Sequence, residues 1–386
     1  MHTNPLFEFQ ISTKIIYGRN SVSRIDDIVA ATGKKSFQII TDKGVASTNI
    51  LDCLMAPLKK IGIQITVFDE VEVNPTVQTV DRAFAQYSDQ NCEGVIAIGG
   101  GSPMDAGKSV GVLATNPGSA SDYLGIDKVK NPTAPVICIP TTAGTAAEIT
   151  RVAVLSDPVK RIKLGLRSDY VAPDFAVLDP LLTLSLPPEP TRDSGLDALT
   201  HAIESYISLN AWEASDALNY KAIELIGTHL RTAVHIGKDV AARDGMLTAS
   251  LLAGMGFHNT KLCLVHAITG PLGGLYNFPH GASNAIVLPH AMRFMLPGAL
   301  TKYANIAIAL GEDIVGLSER EAAEVAVECI ERLSEDVGLP KGLSVLGAKE
   351  GDLPAVSETI AKSFMIPLSP RKATANDIFE ICKASM

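Results

Sequence analysis

A chain of 386 residues that is 46% hydrophobic and 19% charged is too long for one ordinary core and too apolar for a disordered segment, so two folded domains are expected. Its net charge of −9 argues against nucleic-acid and anionic-membrane partners, because no broad positive surface is available to neutralise phosphate. No apolar run reaches the roughly 18 residues that span a bilayer, and the opening Met1-His2-Thr3-Asn4-Pro5 lacks the basic and apolar regions of an export signal.

The first half alternates short apolar runs with amphipathic ones. An apolar edge strand is read near residues 14–17. Residues 36–41 (SFQIIT), 64–68 (QITVF), 94–98 (GVIAI) and 135–139 (PVICI) read as buried strands, being short, β-branched and bounded by turn residues. Residues 49–61 and 77–90 carry helical patterns between them. Strands alternating with helices predict a parallel sheet covered on both faces, which binds ligands at the carboxyl ends of its strands. Asp42, Gly99-Gly100-Gly101-Ser102 and Thr141-Thr142 fall at such ends. The character changes at Leu186-Pro187-Pro188. Beyond it come helical patterns at 194–208, 214–236, 241–255 and 320–337, with no strand series. The expected architecture is an α/β, Rossmann-like nucleotide-binding domain over residues 1–187 and an all-α metal-binding domain over 188–386.

The glycine run at 99–101 follows a strand and opens a helix. Its backbone N–H groups and the positive helix end suit a pyrophosphate, although such a turn is also a common structural device and is not the G-x-G-x-x-G fingerprint. Asp42 reads either as an acceptor for a ribose 2′-hydroxyl, which would favour NAD over NADP, or as a solvated turn residue. Thr141, Thr142 and Thr145, around Gly144, suit contacts to a diphosphate or ribose, or simply a turn. The six cysteines are scattered without a Cys-x-x-Cys pair and read as free thiols in a reducing compartment, the cytoplasm by default.

In the second half, Asp197 and His201 lie four apart in a helical segment and so share a face. His266 and His280 flank Gly270-Pro271-Leu272-Gly273-Gly274. Three imidazoles and one carboxylate suit Fe(II) or Zn(II), and leave a divalent centre net positive, as a Lewis acid requires. Each piece alone is weak, since a lone helical Asp/His pair is more often a surface pair or a satisfied core contact than a ligand pair. His2, His229, His235 and His290 are read as structural.

Five segments in order, GGGSPMDAGK (99–108), TTAGTAAEIT (141–150), GLDALTHAIE (195–204), LVHAITGP (264–271) and PHGASN (279–284), resemble the signatures of the iron-containing (group III) alcohol dehydrogenases. The likeness runs from Ile15-Ile16-Tyr17-Gly18 to Ser369-Pro370-Arg371 and is nearest the branch that holds lactaldehyde reductase and 1,3-propanediol dehydrogenase. The resemblance implies a metal- and NAD(H)-dependent enzyme that moves hydride between NADH and the carbonyl of a small aldehyde. It assigns Asp197, His201, His266 and His280 to the metal, with Fe(II) first and Zn(II) second, and makes Asp197, His266 and His280 the catalytic centre. It assigns Asp42, Asn74, Gly100, Gly101, Ser102, Thr141, Thr142, Thr145 and Lys163 to the cofactor. It also implies a homodimer or larger homo-oligomer.

Three departures bear on the substrate. Gly270 stands where the family carries a histidine that assists proton transfer, His258 replaces the small residue after Phe257, and Val152 and Met365 stand where the branch has a polar amide and a cysteine. These five residues outline the expected substrate pocket. Arg151, Lys163 and His258 leave open an aldehyde with an anionic tail. A metal- and NAD-dependent lyase resembling dehydroquinate synthase, and a descendant that binds nucleotide without turnover, are the competing classes.

Overall fold

The computed structural model describes residues 6–160 and 162–386, so His2 and the opening segment lie outside the described residues. The chain divides into two compact units. One comprises residues 11–142 and 146–184, and the other comprises the N-terminal residues up to Gln10, Ala143–Thr145 and Ser185–Met386.

The first unit begins with β1 (Lys14–Tyr17), α1 (Ile25–Thr32), β2 (Ser36–Ile40), the short α2 (Lys43–Ala46), α3 (Ile50–Lys60), β3 (Gln64–Phe68), α4 (Val77–Asp89), β4 (Gly94–Gly99) and α5 (Gly101–Leu113). It continues with β5 (Gly125–Ile126), β6 (Val136–Pro140), β7 (Val152–Asp157), β8 (Ile162–Arg167) and β9 (Phe175–Leu178). Among the described residues, six strands form one all-parallel sheet in the order β1-β9-β6-β4-β2-β3. Its central strands are buried throughout, as expected of runs without polar alternation.

Alternate residues of those strands feed two separate cores. Phe37, Ile39, Ile96, Ile98, Ile137 and Ile139 pack with α1 and α3 on one face. Ile40, Val95, Ala97, Val136 and Cys138 pack with α4 and α5 on the other. The chain leaving β2 thus turns to one face and the chain leaving β4 to the other. Their carboxyl ends flank a topological switch point, where open α/β sheets hold ligands.

A second sheet, β5-β8-β7, was not anticipated from the sequence. It consists of an antiparallel β7–β8 hairpin with β5 added in parallel. Ala153, Leu155 and Leu166 bury its inner side in the α4/α5 core. A buried ion pair ties it down. Lys108 of α5 is fully buried, and its ammonium meets Asp105 Oδ1 at 3.0 Å, the Ala147 carbonyl at 3.0 Å, Thr150 Oγ1 at 3.3 Å and the Val152 carbonyl. Asp105 in turn accepts from Val154 N at 3.0 Å.

The second unit is helical, as expected. It holds α6 (Pro188–Ile207), α7 (Glu213–His235), α8 (Val240–Thr260), α9 (Leu264–Tyr276), α10 (His280–Met295), α11 (Leu300–Ala309), α12 (Glu319–Asp336), α13 (Leu353–Ile360) and α14 (Ala375–Ala384). From Gly195 to Ile207 every residue of α6 is buried, so α6 is the axis about which α7, α8 and α10 pack. A helix buried on all sides should be apolar all round, yet α6 carries Asp197, Thr200, His201, Glu204 and Ser205 inward. Burying those groups costs free energy unless each finds a partner.

Replacing Lys108 with methionine would leave the Asp105 carboxylate and the Ala147 and Val152 carbonyls without their shared cation. A destabilisation of about 3–5 kcal/mol is expected, read as a lower denaturant midpoint; an unchanged midpoint would show that the ammonium anchors nothing.

Candidate metal centre and nucleotide turn

Three helices assemble the donor set. Asp197 and His201 occupy successive turns of α6, His266 lies in the first turn of α9, and His280 opens α10. The three imidazole Nε2 atoms each lie 3.9 Å from Asp197 Oδ1. His201 and His266 stack at 4.8 Å between ring centroids, and His280 meets His266 edge-on at 5.4 Å. Donor atoms of Asp197, His201 and His266 all fall within 4.8 Å of one another. His280 completes the ring and is the one ligand candidate with an exposed side, 38% of its side chain being accessible.

The far sides of two rings are held. His201 Nδ1 donates to the Gly144 carbonyl at 3.2 Å, and His266 Nδ1 meets Glu204 Oε2 at 2.6 Å. Asn284, one turn after His280, points its amide nitrogen into the set, 2.7 Å from Asp197 Oδ1, 3.0 Å from His266 Nε2 and 3.2 Å from His280 Nε2. Its carbonyl oxygen accepts from the Thr269 hydroxyl. Burial works to raise the Asp197 carboxyl, but the facing histidines and the Asn284 amide outweigh it and hold the group below its usual range. Burial likewise pushes the His201 imidazole below its ordinary value. The ligating forms are an ionised carboxylate and a neutral imidazole, and the direction at His201 favours the second. An N3O set, buried except at His280, with its Nε2 lone pairs turned inward fits a divalent transition metal.

Close approach makes this geometry possible. A Cβ at Gly281 would lie 2.1 Å from the Asp193 carbonyl oxygen and 3.2 Å from Asp197 Cβ. Only glycine lets the start of α10, with His280, reach α6.

The other expected site residues fall as follows. Phe257 stacks on His201 at 4.4 Å. His258 beside it is buried, with its carbonyl accepting from Lys261 Nζ at 2.9 Å. Gly270 is exposed one turn beyond His266, with nothing within 4 Å of where a Cβ would sit. Met365 is half-buried before a short 3-10 turn, Ile366–Leu368. Val152 begins β7, in the α/β unit, with its carbonyl on Lys108. Arg151 is paired with Asp169.

In the α/β unit the glycine turn sits at the switch point. Gly99 closes β4 at φ +147°, a value only glycine adopts without strain. Gly100 precedes α5 in an extended conformation and gives no side-chain cap, so the first N–H groups of α5 stay open to a ligand. Asp42 caps α2 through Val45 N at 2.9 Å, and its other carboxylate oxygen lies 3.3 Å from a Cβ built on Gly99. Thr142 packs beside Gly100, and Thr141 N bonds the Gly99 carbonyl at 2.9 Å. Asn74, at φ +58°, donates its N–H to Ser102 Oγ at 3.3 Å and accepts from Lys163 Nζ at 2.8 Å. Asp42, Asn74, Gly100, Gly101, Ser102, Thr141, Thr142 and Lys163 therefore cluster around one helix N-terminus. Thr145 belongs to the short segment grouped with the helical unit.

Two site residues escaped the sequence reading, although both lie inside the quoted motifs. Glu204 follows Asp197 by seven and His201 by three, a spacing that repeats one helix face; Asn284 follows His280 by four. Those intervals were the available signal. A Gly281→Ala variant is expected to push α10 off α6 and lose bound metal while keeping its helical circular dichroism. Full metal occupancy in that variant would remove the close-approach argument.

Residues 12–180 match the family described as iron-containing alcohol dehydrogenase, and residues 191–386 match the C-terminal region of the Fe-containing alcohol dehydrogenase family. The chain is 40% identical over 378 residues to 1,3-propanediol dehydrogenase of Citrobacter freundii, covering 97% of this chain and 98% of that one. It is 38% identical over 367 residues to lactaldehyde reductase of Escherichia coli K12, covering 95% and 96%. The crystal structure of a 1,3-propanediol oxidoreductase superposes with a TM-score of 0.96 at 39% identity, covering 99% of this chain and all of that one. With both halves matched and relatives aligned over nearly their full length, the chain belongs to the iron-containing alcohol dehydrogenase family, as its motifs led us to expect.

Proposed function

We propose that this alcohol dehydrogenase moves hydride between NADH and the carbonyl carbon of a small aldehyde at a centre held by Asp197, His201, His266 and His280. The observation that carries the reading is the buried carboxylate ringed by three Nε2 atoms at 3.9 Å. When bound there, a divalent ion, Fe(II) by our reading, supplies Lewis acidity toward a carbonyl oxygen, and NADH supplies the hydride.

The residues of the chain do the rest. Asp197 brings the single negative charge of the set, and the neutral imidazoles bring none, so about half of a divalent charge stays uncompensated. The half-exposed His280 side leaves an approach for substrate. Gly270 offers no proton-bearing side chain one turn beyond His266, so proton delivery on that side falls to water. The open N–H groups of α5 bind the pyrophosphate, and Asp42 accepts from the ribose hydroxyls and repels a 2′-phosphate. Asn74 and Lys163, bonded to each other, flank the same turn. The substrate class proposed is a short aldehyde or its alcohol. Phe257 against His201 supplies an apolar wall that an anionic tail would not prefer.

We further propose that the chain works as a homodimer in the reducing cytoplasm. Its cysteines are all unpaired, and among the described residues no helix is long and apolar enough to cross a membrane. Among the described residues, strand β1 pairs on one side only and offers its other edge for such a contact.

His266→Ala and His280→Ala should each strip the metal and abolish NADH oxidation with C2–C4 aldehydes, measured anaerobically on Fe(II)-loaded protein. Retained metal and full turnover in His280→Ala would rule out its assignment. Turnover without net NADH consumption would instead favour a lyase. Asp42→Gly should narrow the preference for NADH over NADPH by about tenfold, the scale of ~1.4 kcal/mol; unchanged discrimination would discard the role given to Asp42.

A further inference from the structure

The metal reading leaves the buried Glu204 carboxylate without a task. Glu204 is fully buried in α6, and Asp197, His201 and Glu204 stand at i, i+4 and i+7, on one face of that helix. An ionised carboxylate in such a place must be met by donors. It is met by three. Val265 N donates to Oε1 at 2.6 Å, His266 N to Oε2 at 3.3 Å, and His266 Nδ1 lies 2.6 Å from the same Oε2.

Resting on the metal centre described above, we propose that Glu204 is a positioning residue. It holds His266 as the Nδ1–H tautomer, so that the Nε2 lone pair faces the cation. Two observations from opposite sides of the ring agree. On the Glu204 side, the carboxylate accepts a backbone N–H at each oxygen, and Oε2 stands 2.6 Å from Nδ1 as the acceptor that an Nδ1–H requires. On the far side, the Asn284 NH2 faces Asp197 Oδ1 at 2.7 Å, where an amide oxygen would meet a carboxylate, and its second hydrogen reaches the nearer of two ring nitrogens, His266 Nε2 at 3.0 Å against 3.2 Å for His280. A ring nitrogen that accepts from an amide is the unprotonated one.

Glu204 does a second thing through the same atoms. The residue before α9, Cys263, makes no side-chain cap. Glu204 supplies the missing acceptor from a neighbouring helix, taking the N–H groups of Val265 and His266 in the first turn of α9. One carboxylate therefore docks α9 on α6 and sets the tautomer of the ligand that α9 carries. Two ligands of the centre and the orienting group for a third come from three turns of one helix.

The test must separate orientation from capping. Glu204→Gln keeps size and shape and retains one acceptor. With its carbonyl on Val265 N, its NH2 faces His266 Nδ1, which must then accept, and the proton moves to Nε2. In the full-length, metal-free chain, 15N spectra of labelled histidine should show His266 as Nδ1–H in the native sequence and Nε2–H in Glu204→Gln. Zn(II) affinity, measured by chelator competition, should fall roughly 10- to 100-fold with unchanged circular dichroism. If the variant loses only thermal stability, keeping both tautomer and Zn(II) affinity, Glu204 is a helix cap alone and the proposal is overturned. If the variant does not fold, the native spectrum decides: Nδ1–H upholds the proposal and Nε2–H overturns it. Failure of the native chain to bind Zn(II) at all would overturn both this inference and the metal reading, whereas native Zn(II) binding that Glu204→Gln leaves unchanged overturns this inference only.

Discussion

A carboxylate taken out of water is the constraint on which the helical unit turns. Asp197 sits in a helix with no solvent-facing side along its second half, and nothing in an apolar core would tolerate it there alone. Its surroundings prepare a place for a cation: three imidazoles at equal distance, and an amide that donates to Asp197 Oδ1 at 2.7 Å. The glycine at 281 and the carbonyl of Gly144 are parts of the same arrangement, one allowing α10 to reach α6, the other fixing His201. The free energy spent on burying these groups is repaid when a cation joins them, because a prepared set of lone pairs has little left to reorganise.

The α/β unit meets a different constraint with similar economy. A parallel sheet leaves its ligand site where strands end and helices depart in opposite directions. Here that place lies between β2 and β4. Alternating side chains of β2, β4 and β6 are shared between two cores, so these strand ends cannot shift without disturbing both faces. Rigid strand ends are what allow Gly99 to hold an unusual backbone and the start of α5 to present open N–H groups. The buried Lys108–Asp105 pair fastens the segment beginning at Ala147 to α5, which steadies the loop after β6 as well.

Much of this was legible in the order of residues. The strands at 36–41, 64–68, 94–98 and 135–139 were found because a buried parallel strand is a short, uninterrupted β-branched run. The helices at 77–90 and 320–337 were found because each has a buried stripe opposed by a polar face. The β7–β8 hairpin was missed because its alternation is faint, with Leu164 and Ile162 on the exposed side and Ser156 and Asp157 within it. Helices α9 and α10 were not drawn as helices either. Pro271, Pro289 and the glycines between 270 and 281 interrupt the pattern that local propensity reads.

By itself, then, the sequence determined the family, the parallel sheet, the helical second half and the identity of four metal-ligand candidates, since each is written in local period or in an ordered set of motifs. Tertiary structure alone decided that Asp197 Oδ1 stands equidistant from three Nε2 atoms, that Glu204 and Asn284 belong with them, and that Asp42 flanks the glycine turn. The reason is physical. Period and propensity act over a few residues, whereas hydrogen bonds between Glu204 and His266, or Asn284 and Asp197, join positions 62 and 87 residues apart. Such contacts exist only after helices have packed, and packing here depends on the absence of a single methyl group at Gly281.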